Sequence, residues 1–250
     1  MQIKSKKIFI SLLFFLLLGT ALDAEEFNIT ANEVLIDKNN ETLIGTGSVK
    51  AIDTKGKTIY ADKINYNKKK EYLVAEGNVK IVDEVGNVIT ATKASFDKMN
   101  EILITYENTK VTLNKNYNLS GGTILYNTKA KILSSDQFSV FNDKDGNIVE
   151  TSMFQYTIND NLFSSIGKIK VIDINKNKYS FKEIHVDTNT KEIIGSDVSV
   201  MLDQDNFGLN DKFDPRFVAN DIYMSKNDIN LSKGVFTTCK LEGEKCPPWS

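Results

Sequence analysis

Ile59-Tyr60-Ala61-Asp62-Lys63-Ile64-Asn65-Tyr66 is followed, after the polar stretch from Asn67 to Glu71, by Tyr72-Leu73-Val74-Ala75-Glu76-Gly77-Asn78-Val79-Lys80-Ile81. In the second segment Leu73, Ala75, Gly77, Val79 and Ile81 alternate with Val74, Glu76, Asn78 and Lys80. Successive side chains on a strand point to opposite faces, so this period of two assigns a strand with one face inward. In the first segment Ile59 and Ala61 keep the step, and the apolar positions then skip to Ile64 and Tyr66. A bulge or bend after Ala61 restores the inward side and turns the strand round a corner. Asparagine, aspartate and glycine accept the backbone angles of tight turns, so the two segments read as antiparallel strands joined by a hairpin turn.

The unit repeats at an offset of 30 residues. Ile29, Ile59, Ile89, Leu119, Val149 and Tyr179 align, with Phe217 following after an eight-residue insertion. Ala31, Ala61, Ala91, Gly121, Thr151, Phe181 and Ala219 stand two positions on, and Val34, Ile64, Ala94, Ile124, Phe154, Ile184 and Ile222 three further. Turn clusters recur in the same register, at 37–41, 67–71, 97–101 and 187–191 and, on the other side, at 53–57, 83–87 and 143–147. A unit this short cannot bury a hydrophobic face alone, so its copies must stack. Seven copies of two strands predict an all-β chain of about fourteen antiparallel strands, and a bend in every copy folds that sheet into a trough.

The N-terminus carries Lys4, Lys6 and Lys7, an apolar run from Ile8 to Leu18, and small residues up to Ala24. That is the layout of a secretory signal peptide, and the run is shorter than the roughly 20 residues of a membrane-spanning helix. We take residues 1–24 as the leader and expect an exported protein. The chain has 31 basic and 33 acidic residues; without Lys4, Lys6, Lys7 and Asp23 the balance is 28 to 32, a formal charge of −4. Nucleic-acid binding needs a concentrated basic surface, so no nucleic-acid partner is expected. All three prolines, Pro215, Pro247 and Pro248, lie beyond residue 214, which suits one long hydrogen-bonded ladder and a single domain.

The segment Ala75 to Ile81 with Ile59 to Ile64, the first-copy Gly45-Thr46-Gly47-Ser48-Val49 and the fifth-copy Ile166-Gly167-Lys168-Ile169 together resemble the periplasmic lipopolysaccharide-transport family. The likeness covers residues 27–237. It implies an elongated, taco-shaped β-jellyroll over 25–237 whose apolar trough shelters lipopolysaccharide acyl chains while the sugars stay in water. The candidate groove residues are Ile29, Ala31, Val34, Ile36, Ile59, Ala61, Ile64, Tyr66, Leu73, Val79, Ile81, Phe96, Ile124, Tyr126, Phe154 and Tyr156. Each sheltered CH₂ contributes about 0.8 kcal/mol, so several chains need a long lining. Ordinary core packing is the competing role for the same residues.

The segment Gly234 to Cys239, followed by Cys246-Pro247-Pro248-Trp249, looks like the junction at which the outer-membrane assembly branch of that family, the LptD proteins, passes into a transmembrane barrel. Residues 238–250 are read as that junction, the barrel itself being absent. An exported chain meets an oxidising compartment, so Cys239 and Cys246 are disulfide candidates, either with each other or, as the resemblance implies, with cysteines beyond a barrel. The implied partners are an LptA-like bridge protein, docking on a sheet edge at Phe27, Ile29 and Val34, and an LptE-like lipoprotein where a barrel is present. The implied location is the periplasmic face of the outer membrane. A soluble LptA-like bridge protein and a β-solenoid surface adhesin are the alternatives.

Enzymatic chemistry, a cofactor or a metal is not expected: Gly-x-Ser-x-Gly, Walker and HExxH motifs are missing, and His185 is the lone histidine, placed outward on a strand. The best enzymatic alternative is a carboxylate pair from Glu107 and Asp197, the two acids in the inward register. Around them the inner face turns polar, at Thr105 and Thr109 and again at Ser135, Gln137 and Ser139. Either these strands sit at an open mouth or their register departs from the repeat.

Overall fold

The computed structural model describes residues 27–113, 117–205 and 213–240. The expected leader at 1–24, Cys246 and the Pro-Pro-Trp segment lie outside them. Fourteen strand lines run back and forth through the described residues. The first is Asn28–Thr30 and Glu33–Asp37 (β1, β2); unbroken lines follow at Thr42–Ile52 (β3), Thr58–Asn67 (β4), Tyr72–Val82 (β5) and Val88–Asp97 (β6). Four broken lines come next: Ile102–Tyr106 with Thr109–Leu113 (β7, β8), Tyr117–Gly121 with Ile124–Asn127 (β9, β10), Ile132–Ser135 with Ser139–Asp143 (β11, β12) and Ile148–Thr151 with Phe154–Thr157 (β13, β14). The chain ends in Leu162–Ile172 (β15), Lys178–Asp187 (β16), Ile193–Met201 (β17) and Arg216–Met224 (β18), then Ile229–Ser232 with Val235–Thr237 (β19, β20). The expected fourteen lines are present, six of them interrupted, giving twenty strands.

Each line pairs antiparallel with the next in sequence, from β2 on β3 through β4, β5 and β6 to β18 on β19 and β20. The fold is thus a single all-β meander, an elongated antiparallel jellyroll. Its turns follow from the sequence. Asp53 Oδ1 accepts the backbone N–H groups of Lys55 and Lys57, and Asp83 and Asp143 repeat the arrangement, with Gly56, Gly86 and Gly146 in the left-handed region. On the opposite rim Glu41, Glu71, Glu101, Lys131, Asn161 and Lys191 take the left-handed position.

A crease runs across the sheet and divides it into two wings. Where β3 and β5 cross it, Gly47-Ser48 and Gly77-Asn78 have positive φ, and the register shifts by one residue against the neighbouring strands. The bend falls after Ala61, as the skip predicts, but the additional residue sits on the neighbouring strand: Gly47 and Ser48 stand opposite Asp62 alone.

The middle lines break outright at this crease, which explains their polar inner residues. Thr105 Oγ1 donates to the Ile124 carbonyl at 3.2 Å, Thr109 Oγ1 to Gly122 at 2.8 Å, Ser135 Oγ to Thr123 at 2.6 Å and Ser165 Oγ to Met153 at 2.7 Å. A buried carbonyl without a partner is costly, and these hydroxyls serve carbonyls that the broken ladder leaves free. The polar stretch is therefore the floor of the crease rather than a mouth. Glu107, Gln137 and Asp197, expected inward, are exposed instead: Glu107-Asn108 and Asp197 are left-handed where the chain turns the corner, and Gln137 lies in the break between β11 and β12, where its side-chain oxygen accepts from the Thr123 N–H.

Candidate functional site

The inner faces of the two wings meet in one continuous apolar cluster, but they fill the space between them unevenly. From β3 to β11 the interior is packed shut, apart from the rim at Leu113 and Tyr117, which faces the cavity farther along. Ile59, Ala61, Ile64, Tyr66, Leu73, Val79, Ile81, Phe96, Ile124 and Tyr126 are all buried and press on one another, leaving beside Lys57, Asp83 and Tyr126 a gap of about 10 Å³, room for about one water. Phe27 is buried at this end, edge-on to Tyr66 with ring centres 5.5 Å apart and to Phe96 at 6.2 Å. It is thus placed inside the trough and not on the edge where docking was expected. Lys57 closes the rim above: its ammonium stands 4.1 Å from the Phe96 ring centre and 3.5 Å from Asp53 Oδ2, and burial lowers its pKa.

Farther along, the wings part around a cavity of about 330 Å³. Its walls are apolar and largely aromatic: Phe141 on β12, Val149 on β13, Phe163 and Val171 on β15, Tyr179, Phe181 and Ile184 on β16. Phe141 meets Phe154 and Phe163 edge-on, each at 4.7 Å, and Tyr179 stacks on Phe181 at 6.3 Å. The Phe181 ring occupies the place a side chain at Gly195 would need. Burial, reinforced by the Asp173 carboxylate, raises the Tyr179 pKa, and burial does the same for Tyr156, so both phenols stay neutral at physiological pH. Charge is confined to the mouth, at Asp143, Asp145, Asp173 and Lys191.

Among the sixteen sequence candidates, Tyr156 lines this cavity and Phe154 supports it through Phe141; the other buried ones belong to the packed half. Ile29 and Ala31 are half-buried against the core. Val34 and Ile36 lie opposite Gly45 and Leu43, hence on the inner face, yet they are 47% and 63% exposed because they stand on the first, outermost line with no described residue packed over them. Sequence reasoning missed Phe141, Phe163, Tyr179 and Phe181. A signal was present: the column Tyr66, Phe96, Tyr126 and Tyr156 places an aromatic at every thirtieth residue and lapses at Val186, which lines the cavity.

On the outer face Ser164 Oγ lies 2.9 Å from His185 Nδ1, and His185 Nε2 lies 3.0 Å from Glu183 Oε1. The chain of bonds has the order of a nucleophile, base and acid. It lies flat on a sheet, however, beside backbone N–H groups engaged in strand pairing, so it provides neither an oxyanion hole nor a concave substrate site. Glu107 and Asp197 likewise stand exposed at the crease, Asp197 within 3.5 Å of Lys182.

No known family's sequence profile matches the chain, and no curated protein matches it. Among solved structures it is similar to LptH of Pseudomonas aeruginosa, described as the LptA-homologous periplasmic component of the conserved lipopolysaccharide transport device. The match covers 68% of this chain and 80% of LptH at 14% identity, with a TM-score of 0.21.

Proposed function

We propose that this chain is an exported, non-enzymatic lipid carrier of the lipopolysaccharide-transport type, working in the periplasm and sheltering acyl chain between its two wings. The observation that carries the reading is the open apolar cavity of copies four to six, beside a first half that is packed shut. An alkyl chain placed among Phe141, Phe163 and Phe181 leaves water at about 25 cal/mol per Å², while a sugar or phosphate at the mouth stays solvated. The leader at 1–24 and the repeat motifs at Gly45 to Val49 and Ala75 to Ile81 support the same reading.

Two finer roles differ in what adjoins the trough. Exposed apolar residues occur on both end lines, Val34, Leu35 and Ile36 on β2 and Ile229, Leu231 and Phe236 on β19 and β20. Among the described residues nothing pairs with the outer side of either end line, and two such edges favour a soluble LptA-like bridge with a neighbour at each end. The Cys239 to Trp249 segment favours the alternative, the periplasmic domain of an LptD-like translocon partnered by an LptE-like lipoprotein. The shared reading is tested with a fluorescent fatty acid titrated into the purified chain. Saturable binding, displaced by lipopolysaccharide and weakened at least about tenfold by Val171→Asp, is expected, since an unpaired charge among the lining residues is costly. Binding that does not saturate, or that ignores the substitution, contradicts it.

A further inference from the structure

Cavity size and the contacts over its mouth concern which lipids enter, an inference that rests on the lipid-carrier reading. About 330 Å³ lies at the small end of ligand pockets, roughly 300–1,000 Å³, and suits one alkyl chain rather than several side by side. Above it the two rims touch. Tyr117 on one rim donates its hydroxyl to the Thr188 carbonyl on the other at 2.9 Å. Lys191, beside Thr188, reaches back: its ammonium donates to the Tyr117 oxygen at 3.1 Å and stands 3.5 Å from Asp143 Oδ2 and 3.9 Å from Asp145 Oδ2. The Tyr117 ring lies under the same ammonium, 5.2 Å from ring centre to nitrogen.

We infer that Tyr117, Lys191 and Asp143 form a strap across the mouth that sets how many acyl chains the trough admits. With the strap closed the cavity takes a single-chain amphiphile; a lipid with several chains enters between the wings only once the strap is broken. Three features suit it to opening. The Lys191 side chain is 46% exposed, so water competes for its contacts. Both ion-pair distances exceed those of a charged hydrogen bond. Asp143 keeps Asn147 and two backbone N–H groups as partners when Lys191 leaves. The Lys57–Asp53 pair at the packed end has a similar separation but is almost completely buried, so water does not compete for it in the same way.

The test compares association rates of two probes with the full chain by stopped-flow fluorescence: a labelled single-chain fatty acid and a labelled lipid A bearing several acyl chains. In Lys191→Met and in Tyr117→Phe the rate for lipid A, relative to that for the fatty acid, is expected to rise about tenfold, the equivalent of one charged hydrogen bond. Tyr117→Phe retains the ring, so loss of the fold does not stand in for loss of the strap. An unchanged or smaller ratio in both variants overturns the strap while leaving the carrier reading intact. Failure of both probes to bind the unsubstituted chain overturns the carrier reading and the strap with it.

Discussion

Gly77 shows how much of the bend depends on single residues. Its φ is +75°, in the region that side chains disfavour, and a Cβ there would collide with the Asp62 carboxylate, which also accepts from the Asn78 side chain at 2.9 Å. Gly77→Ala should therefore destabilise the chain by about 2 kcal/mol, read as a lower urea midpoint. Adding Asp62→Ala should restore only the steric part of that loss, because the backbone strain remains. Full recovery in the double variant would show that φ carries no cost here. The glycine was legible in the sequence only as one more inward position of a strand; its conformation depends on crossing a crease that a single strand does not reveal. The same holds for Glu107, whose place in the repeat is inward and whose left-handed backbone turns it out.

At the scale of elements, turns and breaks divide the work. The turn carboxylates of Asp37, Asp97 and Asp187 are held below the ordinary aspartate value of 3.8: the Asn40 side chain acts on Asp37, Asn100 on Asp97, and the backbone N–H of Thr190 on Asp187. Asp143 is lowered too, its burial being outweighed by Asn147, Lys191 and the Asp145 backbone N–H together. A pKa depressed in the folded state adds stability that is complete above the unfolded value and is lost as pH falls below it. The urea midpoint should accordingly decline between about pH 5 and about pH 2. Asp97→Asn with Asp187→Asn, which keeps an acceptor oxygen and removes the titration, should make that decline shallower; an unaltered acid limb would assign it to other groups. Strands and turns were legible because period two and Asp-x-x-Gly clusters are local signals. The breaks at β7 to β14 were not, because Thr105, Ser135 and Ser165 acquire meaning only from carbonyls on neighbouring lines.

Across the whole molecule the same repeat produces two different interiors. Phe27, Tyr66, Phe96 and Lys57 close the first half; the column of aromatics lapses at Val186, and the wings stand apart over Phe163 and Phe181. The trough as such was legible, since seven copies of a bent hairpin admit few other stackings. The cavity was not, because inward-facing apolar residues look alike in the sequence whether they meet another side chain or an empty space. The claim that this space shelters acyl chain is tested most directly by photocrosslinking. A fatty acid with a photoreactive terminal carbon is bound to the purified chain, irradiated, and its adducts are located by mass spectrometry. Adducts should fall on Phe141, Phe163, Val171 and Phe181, be lost on competition with lipopolysaccharide, and spare Ile64 and Phe96. Labelling of Ile64 and Phe96, or adducts scattered over the outer face and indifferent to competitor, would contradict the account.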